Sequence, residues 1–345
     1  MNIAHNQFGT MPDGREVQLF CFTCTGGMQI SITNYGGIIT SLKIPDKNGK
    51  IDEIVAGFPE FKSYLNNHPY FGAIIGRVSN RINKGQFLID DNKYQLNMNY
   101  EHFQLHGGFE GFDKKIWAFK LEAQNDSAML VLSYLSTDGQ EGYPGNLNVI
   151  VTYKIFDNNT FEINYEAKTD KPTHFNPTNH TYFNLSGFKE NLRNHQLYIA
   201  ADNFLELNAL QIPTGNYCSV ENSLLDFTSL RKLSEFEKPQ PFHLDHCFVL
   251  RKGLEKTEPY LILYHQESGR MMKIFTTQPG IQIYSGNYLD GSLTGHQNIS
   301  YQKYDAICTE TQHFPDTPNQ PDFPSTLLKP EQVYFHKTTY SFHII

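Results

Sequence analysis

Six short segments gather the side chains that could do chemistry. Asn80 and Arg81 sit in IIGRVSNRINKG, His106 in QLHGGFEGFDKKIW and His180 in NPTNHTYFNLSG. Asp245 precedes His246 in FHLDHCF, Gln282 lies in TTQPGIQIYSGN and Glu310 in ICTETQHFPDTPNQPDFPS. Two histidines and a glutamate, with an arginine, an aspartate and a glutamine, suit general acid–base work on a neutral, hydroxyl-rich ligand. Charged and polar heads would bind hydroxyls, and aromatic faces would stack on the C–H face of a sugar ring. Each residue also has a plainer use. His180 could be a core histidine satisfied by neighbouring asparagines, and His106 could shape the turn before Gly107-Gly108. Arg81 could belong to a surface ion pair, which is worth little. Asp245 could cap a turn, and Glu310 could be solvated at a strand end.

Other chemistries lack their patterns. No His-Glu-x-x-His or repeated His-x-His suggests zinc, and His243-x-x-His246 has no third ligand nearby in sequence. Cys21-x-x-Cys24 lies in an alternating apolar stretch, with no second Cys or His pair to match it. There is no Gly-x-Ser-x-Gly elbow. Gly36-Gly37 and Gly107-Gly108 lack the lysine or helix that would complete a phosphate loop.

The elements that must position these residues are strands. Phe (26) and Tyr (20) far outnumber the single Trp, and both favour strands. Met28, Ile30 and Ile32 alternate with polar residues; so do Leu147, Val149, Val151 and Tyr153, and then Phe161, Ile163, Tyr165 and Ala167. Asp157-Asn158-Asn159, Gly26-Gly27 and Asp90-Asp91-Asn92 supply turn chemistry between such runs. Helical periodicity is confined to Pro59–Asn67 and Leu224–Leu233. The chain is therefore expected to be all-β, a large antiparallel β-sandwich with few short helices, forming a single domain over residues 1–345. On such strands Gln282, between Ile281 and Ile283, faces away from both. Glu310 ends the uncharged run Ala306-Ile307-Cys308-Thr309, where a polar pocket would raise its pKa.

Composition narrows the partners. A chain of 345 residues buries roughly three quarters of its unfolded surface, so no metal or disulfide staple is required. The net charge of −8 argues against a nucleic-acid or anionic-membrane surface. No apolar run reaches the ~18 residues of a bilayer span. The N-terminal stretch does not read as a signal peptide, and five scattered cysteines suit a reducing compartment, so a cytoplasmic location is expected.

Together the segments resemble the galactose mutarotase (aldose 1-epimerase) family. YFGAIIGRVSNRINKGQF, LHGGFEGFDKKIW, DGQEGYPGNL, PTNHTYFNL, TTQPGIQIYSGN and ETQHFPDTPNQPDFPS look like that family's blocks, in the family's order. The resemblance implies a large antiparallel β-sandwich. It implies Glu310 as catalytic base, His180 as catalytic acid and His106 as a second active-site histidine. It implies Asn80, Arg81, Asp245 and Gln282 as sugar-binding residues, with Tyr182 a further candidate on the His180 face. The implied reaction interconverts the anomers of a free aldohexose such as galactose or glucose by ring opening. It needs no cofactor and no metal. The implied partner is a monosaccharide, with the chain a monomer or weak homodimer. Two segments depart from the family's usual pattern, FLELNALQIPTG and LLDFTSLRKL, which bears on substrate preference rather than reaction type. The alternatives are a glycoside-active β-sandwich enzyme, using Asp245 with Glu310 as a carboxylate pair, and a sugar-binding module without turnover. A histidine acid working near neutrality is expected to have its pKa raised by a nearby carboxylate.

Overall fold

The computed structural model describes every residue except 67, 125 and 237–242. Three antiparallel sheets carry the architecture. A nine-stranded sheet runs in the spatial order Ala118–Ala123, Ser127–Ser136, Leu147–Phe156, Thr160–Thr169, Tyr334–Ile344, Arg270–Thr276, Leu261–His265, His195–Ile199, Arg231–Lys232. A six-stranded sheet runs Tyr182–Phe183, Ile307–Gln312, Gly280–Tyr284, Asp245–Leu250, Ala201–Leu207, Pro213–Ser219. Five N-terminal strands from Asn2–Thr10 to Ile51–Glu53 form a meander in sequence order.

The period-two runs explain how these sheets meet. Val149, Val151, Tyr153, Ile163 and Tyr165 on the large sheet share one apolar cluster with residues of the other two. Ile281, Ile283 and Ile307 come from the six-stranded sheet, and Ile30, Ile32 and Leu42 from the meander. All are buried. Each such side chain contributes about 1.5–3 kcal/mol when removed from water, so alternation locks the register: a one-residue slip would turn every one of them outward. The hairpins close where turn chemistry was expected. Leu147–Phe156 and Thr160–Thr169 pair from Phe156↔Thr160 onward, with Asn159 at φ 60°. Asp90 takes φ 51° between Gln86–Ile89 and Asn92–Gln95.

The helical expectations are cut back. Within 59–67 the described residues form an α-turn over Phe61–Tyr64 alone, where the Tyr64 hydroxyl reaches back to accept the Phe58 N–H at 2.8 Å; position 67 lies outside the described residues. No helix forms over 224–232. There Ser223 Oγ accepts the Leu225 N–H, and Asp226 Oδ1 accepts that of Thr228. These local bonds take donors that a helix would need. Arg231–Lys232 then joins the edge of the large sheet, and a 3₁₀ turn covers Leu233–Phe236. All five cysteines are free thiols. Among the described residues, no helix is long and apolar enough to cross a membrane.

Candidate active site

Alternation on the six-stranded sheet builds one wall. Ile281, Ile283 and Ile307 face the core, so residues one step away face the other side. Register then lines them up. Gln282 pairs with Glu310 and with Cys247; Tyr284 pairs with Cys308 and with Asp245; Cys308 pairs with Tyr182. A glutamate, an aspartate, a glutamine and two tyrosines thus share the face opposite the core.

A second wall comes from loops. Arg81–Asn83 pairs with Phe103–Leu105 in a two-stranded ribbon. At its end Asn80 (φ 61°) and His106 (φ 53°) both adopt left-handed backbone and lock together. The His106 N–H donates to the Asn80 carbonyl at 3.0 Å, and the Asn80 N–H donates to His106 Nδ1 at 3.3 Å. Gly107 follows at φ 85°, where a Cβ would collide with the Gly76 carbonyl, so only glycine closes this turn. Buried Arg77 anchors the approach. Its guanidinium donates to the carbonyls of Ser136, Thr137, Pro144 and Gly145 and to the Ser136 and Thr173 hydroxyls. His180 is fixed by its backbone, its N–H donating to Ala73 and its carbonyl accepting from Gly72.

These walls enclose a cavity of about 760 Å³ lined by Asn80, Arg81, His106, His180, Asp245 and Glu310, with Tyr182 also on its wall. His180 Nε2 stands 3.6 Å from Glu310 Oε1, and its Nδ1 lies 3.5 Å from Cys308 Sγ. The His106 and His180 rings meet edge to face at 5.1 Å. Arg81 Nη2 lies 3.5 Å from Asp245 Oδ2. Gln282 donates to Asp245 Oδ1 at 2.6 Å; it stands behind Asp245 and not on the cavity wall. Every sequence-derived site residue thus falls within one connected cluster.

Burial sets the protonation. His180 is pushed down to about 4 by desolvation. Desolvation also carries His106 well below the usual histidine value, with the neighbouring His180 and Arg81 adding to it. Glu310 is driven well above the usual carboxyl value by burial and then by Asp245, with Arg81 opposing. The expected upward shift of His180 is therefore corrected. Removing an imidazolium from water costs more than one carboxylate oxygen at 3.6 Å returns. His106 has a defined tautomer, because its Nδ1 accepts a backbone N–H and the ring proton must be on Nε2. Glu310 Oε2 is buried with no hydrogen-bond partner among the described residues. Donor atoms of His106, His180 and Glu310 lie within 4.8 Å of one another, so this trio could also hold a cation.

Sequence reasoning did not single out Tyr70, Tyr284, Cys308 or Gln211. Tyr70 packs on both histidines, 4.7 Å from the His106 ring and 5.7 Å from that of His180. Tyr284 and Cys308 were available from alternation, each two residues from a chosen site residue on the same strand. Tyr70 and Gln211 arrive from loops and carry no such signal.

Comparison with known proteins follows the geometry. The aldose 1-epimerase family model matches residues 18–341. The chain is 41% identical to a galactose mutarotase of Sus scrofa, over all of this chain and 99% of that protein. It is 33% identical to an aldose 1-epimerase of Escherichia coli strain K12, over 96% of each. A solved GalM/aldose epimerase homologue from C. elegans superposes with a TM-score of 0.87 at 29% identity, covering 93% of this chain and 97% of that one. A galactose 1-epimerase from Lactobacillus acidophilus shares the fold, with a TM-score of 0.87 at 24% identity over 99% of each chain. With a family model matching nearly its whole length, and relatives this similar from end to end, the chain belongs to the aldose 1-epimerase family.

Proposed function

We propose that the chain interconverts the α and β anomers of a free aldohexose, such as galactose or glucose, by acid–base ring opening. Glu310 takes the proton of the C1 hydroxyl while His180 protonates the ring oxygen. The C1–O5 bond breaks, C1 becomes an aldehyde, and rotation about C1–C2 exposes its other face. In closure O5 attacks C1, the O5 proton returns to His180, and Glu310 returns a proton to O1. The proton count is unchanged over the cycle, and no electron is transferred to an acceptor.

The observation that carries this reading is the buried His180–Glu310 pair, 3.6 Å apart at the cavity wall. Its energetics suit the reaction. The pair shares one proton. With that proton on His180 it is an ion pair in a poorly hydrated site, which is the costlier arrangement. Ring opening discharges it: Glu310 becomes neutral by gaining the C1 proton, and His180 becomes neutral by giving up its own. His106, protonated on Nε2, can donate toward the ring oxygen, and Arg81 counters negative charge developing there. Asp245 and Asn80 serve as hydroxyl-binding groups, and Gln282 holds Asp245. Both Asp245 oxygens are engaged, Oδ1 by Gln282 and Oδ2 by Arg81. That disfavours Asp245 as the protonated partner a glycosidase would need. Polarimetry on freshly dissolved α-D-galactose and α-D-glucose tests the reading. Relaxation faster than the spontaneous rate for either sugar is the expected result; no acceleration for any aldose would overturn it.

A further inference from the structure

Among the parts of the cavity wall outside the six segments is one turn of the six-stranded sheet. The turn between Ala201–Leu207 and Pro213–Ser219 brings Ala209, Leu210 and Gln211 to the cavity. It belongs to FLELNALQIPTG, where the chain departs from the family's usual pattern. The turn is held rigidly. Asn208 Oδ1 accepts the N–H groups of Leu210 at 2.9 Å and Ile212 at 3.2 Å. Asn208 and Ile212 close it through a backbone bond of 2.9 Å, and the Gln211 N–H donates back to the Asn208 carbonyl at 2.9 Å. Gln211 itself takes φ 57°.

The Gln211 side chain is oriented by chemistry. Its Oε1 accepts from Arg81 Nη2 at 2.6 Å. A guanidinium can only donate, so the amide oxygen must face Arg81 and the amide nitrogen must point elsewhere. That nitrogen has no partner among the described residues, and Gln211 is only half-buried. The same Arg81 Nη2 lies 3.5 Å from Asp245 Oδ2, so the Gln211 amide and the Asp245 carboxylate flank one nitrogen. A carboxylate accepts and an amide N–H donates. A sugar hydroxyl does both, so one hydroxyl can give its proton to the carboxylate and accept the amide N–H at the same time.

We propose that Gln211 is a sugar-contacting, specificity-determining residue. With its oxygen held by Arg81, it gives an amide N–H to one hydroxyl oxygen of the bound aldose, beside Asp245, which accepts from that hydroxyl. The inference rests on the epimerase reading of this cavity. It assigns selectivity to the turn that carries Gln211 rather than to the acid–base pair.

The experiment uses the parent aldohexose and its 2-, 3-, 4- and 6-deoxy forms, all of which keep the C1 hydroxyl and ring oxygen. kcat/KM is measured for the wild type, Gln211→Leu and Gln211→Glu. The leucine variant has no polar head. The glutamate variant keeps an oxygen for Arg81 but has no N–H to give. In the wild type, one of the four deoxygenations should cost about tenfold or more in kcat/KM, mostly through KM, as expected when one hydroxyl loses its bonds to both Gln211 and Asp245. In both variants that penalty should shrink by about threefold or more, the part due to Asp245 remaining, while the other three penalties stay as they were. The same four penalties in all three proteins would overturn the proposal. Recovery of wild-type selectivity by Gln211→Glu would overturn it too, since Gln211 would then act only by holding Arg81. If the wild type accelerates no aldose, the epimerase reading fails. Calorimetric binding of the same sugars to wild type and Gln211→Leu then still decides, by the same difference in penalty, whether Gln211 reads a hydroxyl.

Discussion

At the scale of single residues, the proposed mechanism turns on where one proton sits between Glu310 and His180. Glu310→Gln keeps the shape and removes the base, so kcat should fall by roughly 10²–10⁴ with the fold intact. Near-normal mutarotation by this variant would remove Glu310 from its role. The pH profile carries a sharper expectation. Burial depresses His180 to about 4 and raises Glu310. The one-proton form of the pair therefore exists between these limits: it gains a second proton on His180 in acid and loses its last from Glu310 in alkali. kcat/KM should be bell-shaped, with an acidic limb near 4 that follows His180 and an alkaline limb above the ordinary Glu value that follows Glu310. Initial-rate polarimetry across pH, corrected for spontaneous mutarotation, checks the shape. A single limb rising through ~6.5 would mean an ordinary histidine acting as base.

At the scale of elements, two devices position those residues. The first is strand register, which brings Asp245, Gln282 and Glu310 to one face of three neighbouring strands. The second is the loop before Arg81, fastened by Arg77. Arg77→Met would leave carbonyls of Ser136, Thr137, Pro144 and Gly145 without their donor in a buried site. A cost of about 3 kcal/mol or more follows, because each unpaired buried polar group costs ~1–3 kcal/mol. Denaturant unfolding should show a lower midpoint. kcat/KM should fall as well, because Asn80 and Arg81 lose their anchor. A variant of wild-type stability and activity would show that Arg77 positions nothing.

At the scale of the whole molecule, buried Arg270 ties the sheets together. It projects from the nine-stranded sheet and donates to the carbonyls of Ile44 and Lys50 in the meander, and to that of Leu185. It also meets Asp52 at 2.8 Å. Arg270→Met should cost about 3–5 kcal/mol, the usual loss when one partner of a buried pair is removed. Asp52 links this clamp to pH. Burial would raise its pKa, but Lys189, Arg270 and Lys50 outweigh burial and hold it at about 2. Its folded value is below the unfolded one of ~3.9, so its stabilisation is complete above ~3.9 and is lost as pH falls toward 2. Asp52→Asn should therefore lose less stability than the wild type between pH 4 and 2, measured by denaturant midpoints. Equal losses would show that Asp52 is not coupled to acid unfolding.

Much of this protein was legible along the chain, because period-two alternation is local. It marked the strands around Val149 and Ile163, the turns at Asn159 and Asp90, and the orientation of Gln282 away from its isoleucine neighbours. The candidate site residues stood out for a similar reason: Gln282 and Glu310 interrupt apolar strands, and Asn80 and His106 lie in polar loop segments, so these are side chains that no apolar core would hold. What the sequence left open depends on distance through space. Whether 224–233 became a helix depended on side chains competing for its backbone donors. That Gln282 backs Asp245, or that Gln211 meets Arg81 from 130 residues away, follows from strand order and loop closure, which no local pattern encodes. The protonation of His180 was beyond the sequence for the same reason. It is decided by how much water the assembled walls exclude, and that quantity exists only once the sheets have packed.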